Sequence, residues 1–255
     1  MAYDFDQVFD LTGKSAIVTG AAAGIGLAVS RLLASRGAKL LLVDLSPSVQ
    51  TVAGELEGGA ARHTALQADL TTPGAADQVV AAAVKRFGGI DILVNNAGIV
   101  LLEKAENVSE ADWDRTMAIN LRAPFFLAQA AGKVMIARQS GRIVNIASQA
   151  SVIALDRHVA YCTSKAGLVG MTRVLAAEWA GHGVTVNAIS PTVVETELGK
   201  KAWAGEVGVA MKKKIPTGRF AQPEEIALAV LYLVSGAAGM VDGENLVIDG
   251  GYTIQ

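Results

Sequence analysis

Residues 14 to 33 run from a short apolar segment through three glycines into an apolar helical stretch. Few architectures accommodate that order. Ser15 to Val18 has the length and composition of a buried parallel strand. Gly20, Gly24 and Gly26 follow at once, and apolar periodicity continues from Ile25 to Leu33. Such a turn offers free backbone N–H groups and the positive end of a helix dipole, which suits a pyrophosphate. A second strand, Lys39 to Val43, ends at Asp44, twenty residues after Gly24. A carboxylate at that spacing can take the hydroxyls of an adenosine ribose. Taken singly, glycines make turns, and an acid after a strand caps a helix or faces solvent. Taken in order, the pieces favour a dinucleotide site.

Strand-like runs recur at about 14–19, 39–43, 63–67, 90–95, 141–147, 184–190 and 245–248, with longer helical patterns between them. Alternation of this kind predicts right-handed βαβ units. The expected fold is α/β: a doubly wound Rossmann fold, with a seven-stranded parallel sheet covered by helices on both faces. No linker or repeat divides the chain, so residues 1–255 are read as one domain carrying both cofactor and substrate sites. Gly20, Asp44, Asn95, Ser148 and Pro191 all fall just after predicted strands. Open parallel sheets bind ligands at that edge. Ser109-Glu-Ala-Asp112 predicts a capping box opening a helix that carries Asn120, with Asp in place of Glu or Gln. Gln222-Pro-Glu-Glu225 opens an apolar helix running from Ile226 to Val234. Residues 192–216 are the least regular stretch, readable as a lid over the substrate or as a solvated helical hairpin with surface lysines.

The chemistry concentrates at Tyr161-Cys-Thr-Ser-Lys165, with Ser148 thirteen residues upstream of the tyrosine. Residues four apart share one helix face, so a phenol and an ammonium lie one turn from each other. A fixed cation favours phenolate and is expected to lower the phenol's pKa toward neutrality. Ser148 can hold an alcohol or carbonyl oxygen beside it.

Composition excludes several other classes. The formal charge of −2, with no basic block, leaves no concentrated cationic face for nucleic acid. The single cysteine, Cys162, permits no internal disulfide. No apolar stretch reaches spanning length, and Met1 to Asp6 is acidic without an apolar leader, so the expectation is a cytoplasmic, non-membrane protein. No His/Cys/Asp/Glu spacing resembles a catalytic zinc site, and no metal is expected there. His63 and His182 read as structural, whereas His158 stands three residues before Tyr161.

Together these residues resemble the single-domain short-chain dehydrogenase/reductase family. Thr19 to Gly26 is similar to its cofactor turn, Asn95 to Gly98 to its Asn-Asn-Ala-Gly motif, and Asn120 to its helix asparagine. Ser148, Tyr161 and Lys165 match its serine, tyrosine and lysine. Ile189 to Thr196 resembles its Pro-Gly loop, except that Thr192 stands where glycine is usual. Ile248-Asp-Gly-Gly-Tyr252 resembles its ending. The resemblance implies a hydride-transferring oxidoreductase using NAD, with Asn120, Ser148, Tyr161 and Lys165 as its catalytic set. Implied cofactor contacts are Gly20, Ala23, Gly24, Ile25 and Gly26 in the first turn, Asp44 after the second strand, and Asp69 and Leu70 after the third. Asn96, Ala97 and Gly98 follow the fourth, Pro191, Val194 and Thr196 the sixth, and Tyr161 and Lys165 complete the set.

Positions expected around the substrate are Gln149, Ser151, Asp156, His158, Thr192, Glu195 and Trp203. Their polarity favours a sugar alcohol or ketose, giving a polyol dehydrogenase. The alternatives are a 3-oxoacyl-thioester reductase, and, in a different class, an NAD-sensing regulator with a silent site. The family likeness also implies a homotetramer. A terminal carboxylate at Gln255 could hold a cation between subunits, though most chain ends are simply solvated.

Overall fold

The computed structural model describes Asp4 and residues 7–255, so the rest of the acidic start, Met1 to Asp6, lies outside the described residues. Seven strands form one parallel sheet: β1 Ser15–Thr19, β2 Lys39–Asp44, β3 Thr64–Gln67, β4 Ile92–Asn95, β5 Gly141–Ile146, β6 Val184–Pro191 and β7 Asn245–Ile248. The strand order is β3-β2-β1-β4-β5-β6-β7. All seven expected strands are present, with ends within two residues of those read from sequence. The order reverses between β1 and β4, and this switch point opens the crevice in which doubly wound sheets bind nucleotides.

The strands are mostly apolar because both faces are covered. The helices are α1 Gly24–Ser35, α2 Val49–Glu55, α3 Gly59–Arg62, α4 Ala75–Phe87, α5 Glu110–Met117, α6 Ala123–Ala137, α7 Val159–Trp179, α8 Glu197–Ala202, α9 Glu206–Lys213 and α10 Pro223–Val234. One core packs α1 and α10 against the sheet through Val29, Leu33, Ile226 and Val230. The other packs α4, α6 and α7 on the opposite face through Val79, Leu127, Met135 and Leu175. Ile17 and Leu41 point to the second core while Val18 and Leu42 point to the first, as a period of two requires.

Three local expectations are refined. Ser109 does cap α5, accepting from the Asp112 N–H at 3.1 Å, but the Asp112 carboxylate accepts from the Ser109 hydroxyl at 2.9 Å instead of reaching back to the main chain. Aspartate is one methylene short of the Glu in a full capping box. The full reciprocal pattern occurs at α10, where the Glu225 carboxylate accepts from the Gln222 N–H at 2.8 Å. Asn120 lies on a π-helical turn, Ala118–Arg122, between α5 and α6. Such turns re-aim a side chain within an otherwise continuous helix and concentrate at functional sites.

The segment 192–216 forms two short helices, α8 and α9, and its outer face is exposed at Val207 and Val209. Met211 of α9 joins Ile215 and Phe220 in a small core, with Val193, Trp203 and Tyr252 packed against it.

Candidate active site

The first turn is built to leave donors free. Gly20 and Gly24 adopt φ of +62° and +55°, a region that side-chain-bearing residues rarely occupy. A Cβ on Gly26 would strike the Gly20 carbonyl, and one on Gly24 would stand 3.0 Å from Thr196 Cγ2. The chain therefore passes close to itself and to the 192–196 loop. Helix α1 starts from Ala23, whose side chain offers no cap, and its first turn carries no acid. The first N–H groups of the helix, from Gly24, Ile25 and Gly26, are thus left for an anion.

Asp44 ends β2 beside this turn. One carboxylate oxygen accepts from the Ala22 N–H at 2.9 Å and the other from the Ser46 N–H at 2.8 Å. Each oxygen keeps a second lone pair for a ribose hydroxyl. The alternative reading, in which Asp44 merely caps the following helix, does not fit, since α2 begins at Val49 with Ser48 as its N-cap residue. Asp69, beyond β3, accepts from the Thr71 N–H and hydroxyl, and these bonds hold its carboxyl below the usual range. The neighbouring Leu70 packs partly into the core.

Thr19 is a connector that the sequence reading did not single out as a site residue. Its hydroxyl accepts from the N–H groups of Asn96 and Ala97, both at 3.0 Å. The Asn96 amide in turn donates to the carbonyls of Thr19 and Gly20 at 2.9 and 3.1 Å. Asn96 and Ala97 thus lock the end of β4 onto the glycine turn. Gly98 approaches the catalytic side: a Cβ there would stand 3.2 Å from Asn120 Oδ1 and 3.5 Å from Lys165 Nζ. The uncapped helix, the free lone pairs of Asp44 and the crowded glycine cradle together fit a dinucleotide.

Tyr161 and Lys165 share one face of α7, with the Lys165 ammonium 5.7 Å from the centre of the tyrosine ring. Lys165 is 4% exposed and donates to the Ile146 carbonyl at 2.8 Å, which pins α7 to the end of β5. Ser148 follows that same strand end. Its hydroxyl accepts from the Ala150 N–H at 3.2 Å and lies within hydrogen-bonding reach of the Tyr161 phenol. The Tyr161 pKa departs from expectation. Burial pushes the phenol above its ordinary value, while Ser148 pulls the other way. The lysine reaches the strand carbonyl rather than the phenol oxygen, so its charge does not offset the burial. Lys165 itself is pushed down to about 8 by burial.

That value carries a prediction. A lysine whose folded pKa lies below its unfolded 10.5 costs stability, fully below about pH 8, and the cost is relieved as pH rises toward 10.5. The difference is on the order of 3 kcal/mol. Lys165→Met removes this cost but leaves the Ile146 carbonyl without its donor, a loss of about 1–3 kcal/mol that does not vary with pH. The stability of Lys165→Met relative to wild type should therefore be greatest near pH 7 and decline between pH 8 and 10.5. Thermal unfolding at matched pH checks this. A difference that stays constant across that range would remove the buried charge from the account.

Asn120 is fully buried and its carboxamide is committed. Oδ1 accepts from the Ile99 N–H at 2.8 Å, and Nδ2 donates to the Ile99 carbonyl at 2.8 Å and to Ser164 Oγ at 3.2 Å. With both amide N–H groups spent, the side chain braces the loop after β4 against α7.

The positions expected around the substrate divide. Gln149 and Thr192 are buried at the ends of β5 and β6. Ser151 bonds Ser190 across those strands at 3.1 Å. His158 packs edge-on to Tyr161, with ring centres 6.0 Å apart. Asp156 is exposed, lining a cavity with His158 and Cys162. Glu195 is tied to Lys212 at 2.9 Å and to Gln222 at 3.2 Å, and these bonds hold its carboxyl below the usual range. The Trp203 ring stacks edge-on against Phe220 at 6.0 Å, inside the small core of the 192–216 segment. Pro191 closes β6 opposite Ile248, and Val194 is buried beside Ala221. Thr196 caps α8 through its hydroxyl. Among the described residues no three His, Cys, Asp or Glu side chains converge as a metal site would require, and no helix is long and apolar enough to cross a membrane.

Comparison with known proteins identifies relatives over nearly the whole chain. A family model described as enoyl-(acyl carrier protein) reductase matches residues 20–253. An NAD-dependent glycerol dehydrogenase from Listeria innocua is 56% identical over 98% of this chain and 98% of its own length. A D-threitol dehydrogenase from Mycolicibacterium smegmatis is 52% identical over 100% of this chain and 98% of its own. The crystal structure of a short-chain type dehydrogenase/reductase from Mycobacterium marinum superposes with a TM-score of 0.92 at 35% identity, covering 99% of this chain and 100% of that one. A likeness that runs through both the glycine turn and the Ser148–Tyr161–Lys165 edge, over nearly the entire length, leaves one assignment: the chain belongs to the short-chain dehydrogenase/reductase family.

Proposed function

We propose that this protein is an NAD-dependent polyol dehydrogenase, reversibly oxidising a secondary alcohol of a sugar alcohol to the ketone. The observation that carries the reading is the convergence on one sheet edge of an uncapped glycine turn, a carboxylate with spare lone pairs and the Ser148–Tyr161–Lys165 group. The two relatives, more than half identical, are dehydrogenases of glycerol and of threitol, and both substrates are polyols.

NAD, when bound, supplies the hydride acceptor. The remaining steps fall to this chain. Ser148 donates to or accepts from the substrate oxygen and fixes it beside the Tyr161 phenol. Tyr161 must first release its own proton to solvent; as phenolate it takes the hydroxyl proton in oxidation, and as phenol it returns it in reduction. Lys165 holds a positive charge under the tyrosine ring, which favours the phenolate in the step that forms it. Asn120 is a positioning residue, holding the Ile99 loop and α7 in register. Gly20, Gly24 and Gly26 admit the pyrophosphate, and Asp44 takes the ribose hydroxyls.

Residues 192–216 serve as a lid within the single domain. This reading is supported by the position of the segment, directly after β6 at the sheet edge that carries Ser148. The protein is read as a homotetramer by family likeness, and as cytoplasmic from its sequence. The 3-oxoacyl-thioester alternative is disfavoured because the turn after α7, Ala180-Gly-His-Gly183, offers no Lys or Arg to an acidic carrier protein.

The test is a substrate panel with NAD and with NADP. Polyols should exceed simple apolar secondary alcohols and long-chain 3-oxoacyl thioesters in kcat/KM, by up to about 10⁴ where buried polar groups are left unpaired. Equal activity on apolar secondary alcohols would sink the polyol reading. Tight NAD binding without turnover on the whole panel would favour a regulator.

A further inference from the structure

On the reading of the glycine turn as the dinucleotide site, we infer that Glu195 is a positioning residue for the cofactor. Through Lys212 and Gln222 it holds the 193–196 loop against that turn.

Thr196 is the point of contact. A Cβ on Gly24 would stand 3.0 Å from Thr196 Cγ2, so this methyl group closes over the first residue of α1. The Thr196 hydroxyl accepts from the Gly199 N–H at 3.0 Å and caps α8. Its own N–H donates to the Val194 carbonyl at 2.7 Å, a three-residue turn centred on Glu195. The placing of Thr196 on the glycine turn therefore passes through Glu195.

Main-chain bonds fix one side of this residue. Val194 and Ala221 form a parallel bridge. The Glu195 N–H donates to the Ala221 carbonyl at 2.8 Å, and the Ala221 N–H to the Val193 carbonyl at 3.0 Å. The carboxylate fixes the other side. Oε1 accepts from Lys212 Nζ of α9 at 2.9 Å, and Oε2 from Gln222 Nε2 at 3.2 Å. Both donors are themselves held. The Lys212 ammonium lies 4.7 Å from the centre of the buried Phe220 ring. The Gln222 N–H donates to Glu225, which pairs with Arg219 through both oxygens at 2.6 and 2.7 Å. A carboxylate expected to meet a substrate hydroxyl instead ties the loop to α9 and to the start of α10. The Glu195 side chain is 26% exposed and that of Lys212 39%, so the link is partly solvated and its effect is moderate.

The experiment measures NAD affinity by fluorescence titration, and kinetics with the best polyol of the substrate panel at saturating NAD. The proteins are wild type, Glu195→Ala, Lys212→Met, Lys212→Arg and the double variant Glu195→Ala/Lys212→Met. Lys212→Met should raise the Kd for NAD about 3–5-fold, and Glu195→Ala, which also releases Gln222, about 5–10-fold. The double variant should match Glu195→Ala, because both substitutions break one link. Lys212→Arg keeps the charge and should stay within about 1.5-fold of wild type. The KM for the polyol should move less than about 2-fold throughout.

A polyol KM raised by Glu195→Ala, with Lys212→Met silent, makes Glu195 a substrate contact and overturns the inference. Unchanged NAD affinity in both single variants also overturns it and leaves the dinucleotide reading standing. Losses that multiply in the double variant show two independent roles and refute the link. If Lys212→Arg weakens NAD as much as Lys212→Met, the lysine stem matters and the ion pair does not, which refutes it as well. An unfolding temperature of the NAD-free protein that falls in step with NAD affinity across the variants makes the pair structural, again against the inference. Absence of NAD binding in wild type would remove the dinucleotide reading and this inference together.

Discussion

Replacing Tyr161 by phenylalanine should lower kcat by about 10²–10⁴, the range that a positioned acid–base group contributes. The substitution deletes one oxygen and keeps the ring, so the edge contact with His158 and the placement over Lys165 persist. The first glycine turn lies on β1 and α1 and takes no part in that contact. NAD affinity should therefore change little. Burial raises the phenol of the unliganded protein, so Tyr161 carries its proton at neutral pH before substrates bind. Losing the oxygen also removes a buried polar atom, and stability should hold or rise slightly. Steady-state kinetics with a polyol, together with NAD titration, measures both halves. Near-normal kcat in the phenylalanine variant would dismiss Tyr161 as the acid–base group. A matching collapse of NAD affinity would mean that the ring, not the oxygen, is what the site needs.

Local patterns were legible in the sequence because they are set by neighbours in the chain. Ser15 to Leu33 reads as strand, glycine turn and helix without any tertiary knowledge, and the seven strands follow from apolar runs of the right length. The i, i+4 spacing placed Tyr161 and Lys165 on one face. Contacts between distant segments left no such trace. The anchoring of Glu195 by Lys212 and Gln222 joins residues 17 and 27 apart. Trp203 is expected near the substrate, and its edge-on packing against Phe220, 17 residues away, could not be read from local pattern. The direction of the Tyr161 shift was missed for the same reason. Spacing gives the lysine's face of the helix, but not the Ile146 carbonyl that claims its ammonium. Thr19 was seen as part of a motif, while its grip on Asn96 and Ala97 depends on β1 lying beside β4.

Asp44→Ala should narrow or reverse the preference for NAD over NADP, shifting the ratio of kcat/KM values by about 10²–10³. A 2′-phosphate beside this carboxylate sets like charge against like charge, a cost of several kcal/mol, and each 1.4 kcal/mol is tenfold. No base at this turn offsets it: residues 21 to 23 are all alanine, and Leu45, Ser46 and Pro47 follow the acid. Lys39 begins β2 and Asp44 ends it, so five residue steps of strand, about 17 Å, separate them. Arg36 lies farther back still, with its carbonyl accepting from the Leu11 N–H at 2.7 Å. The alanine variant also strands the Ala22 and Ser46 N–H groups, which lose their acceptor. Part of the NAD loss will therefore come from a loosened glycine turn, and this part should fall on NADP as well. The ratio isolates the charge effect from that shared loss. Kinetics with both cofactors, before and after the substitution, decides the matter. A ratio unmoved within about threefold, under 1 kcal/mol, would show that Asp44 serves the turn and not the choice of nucleotide.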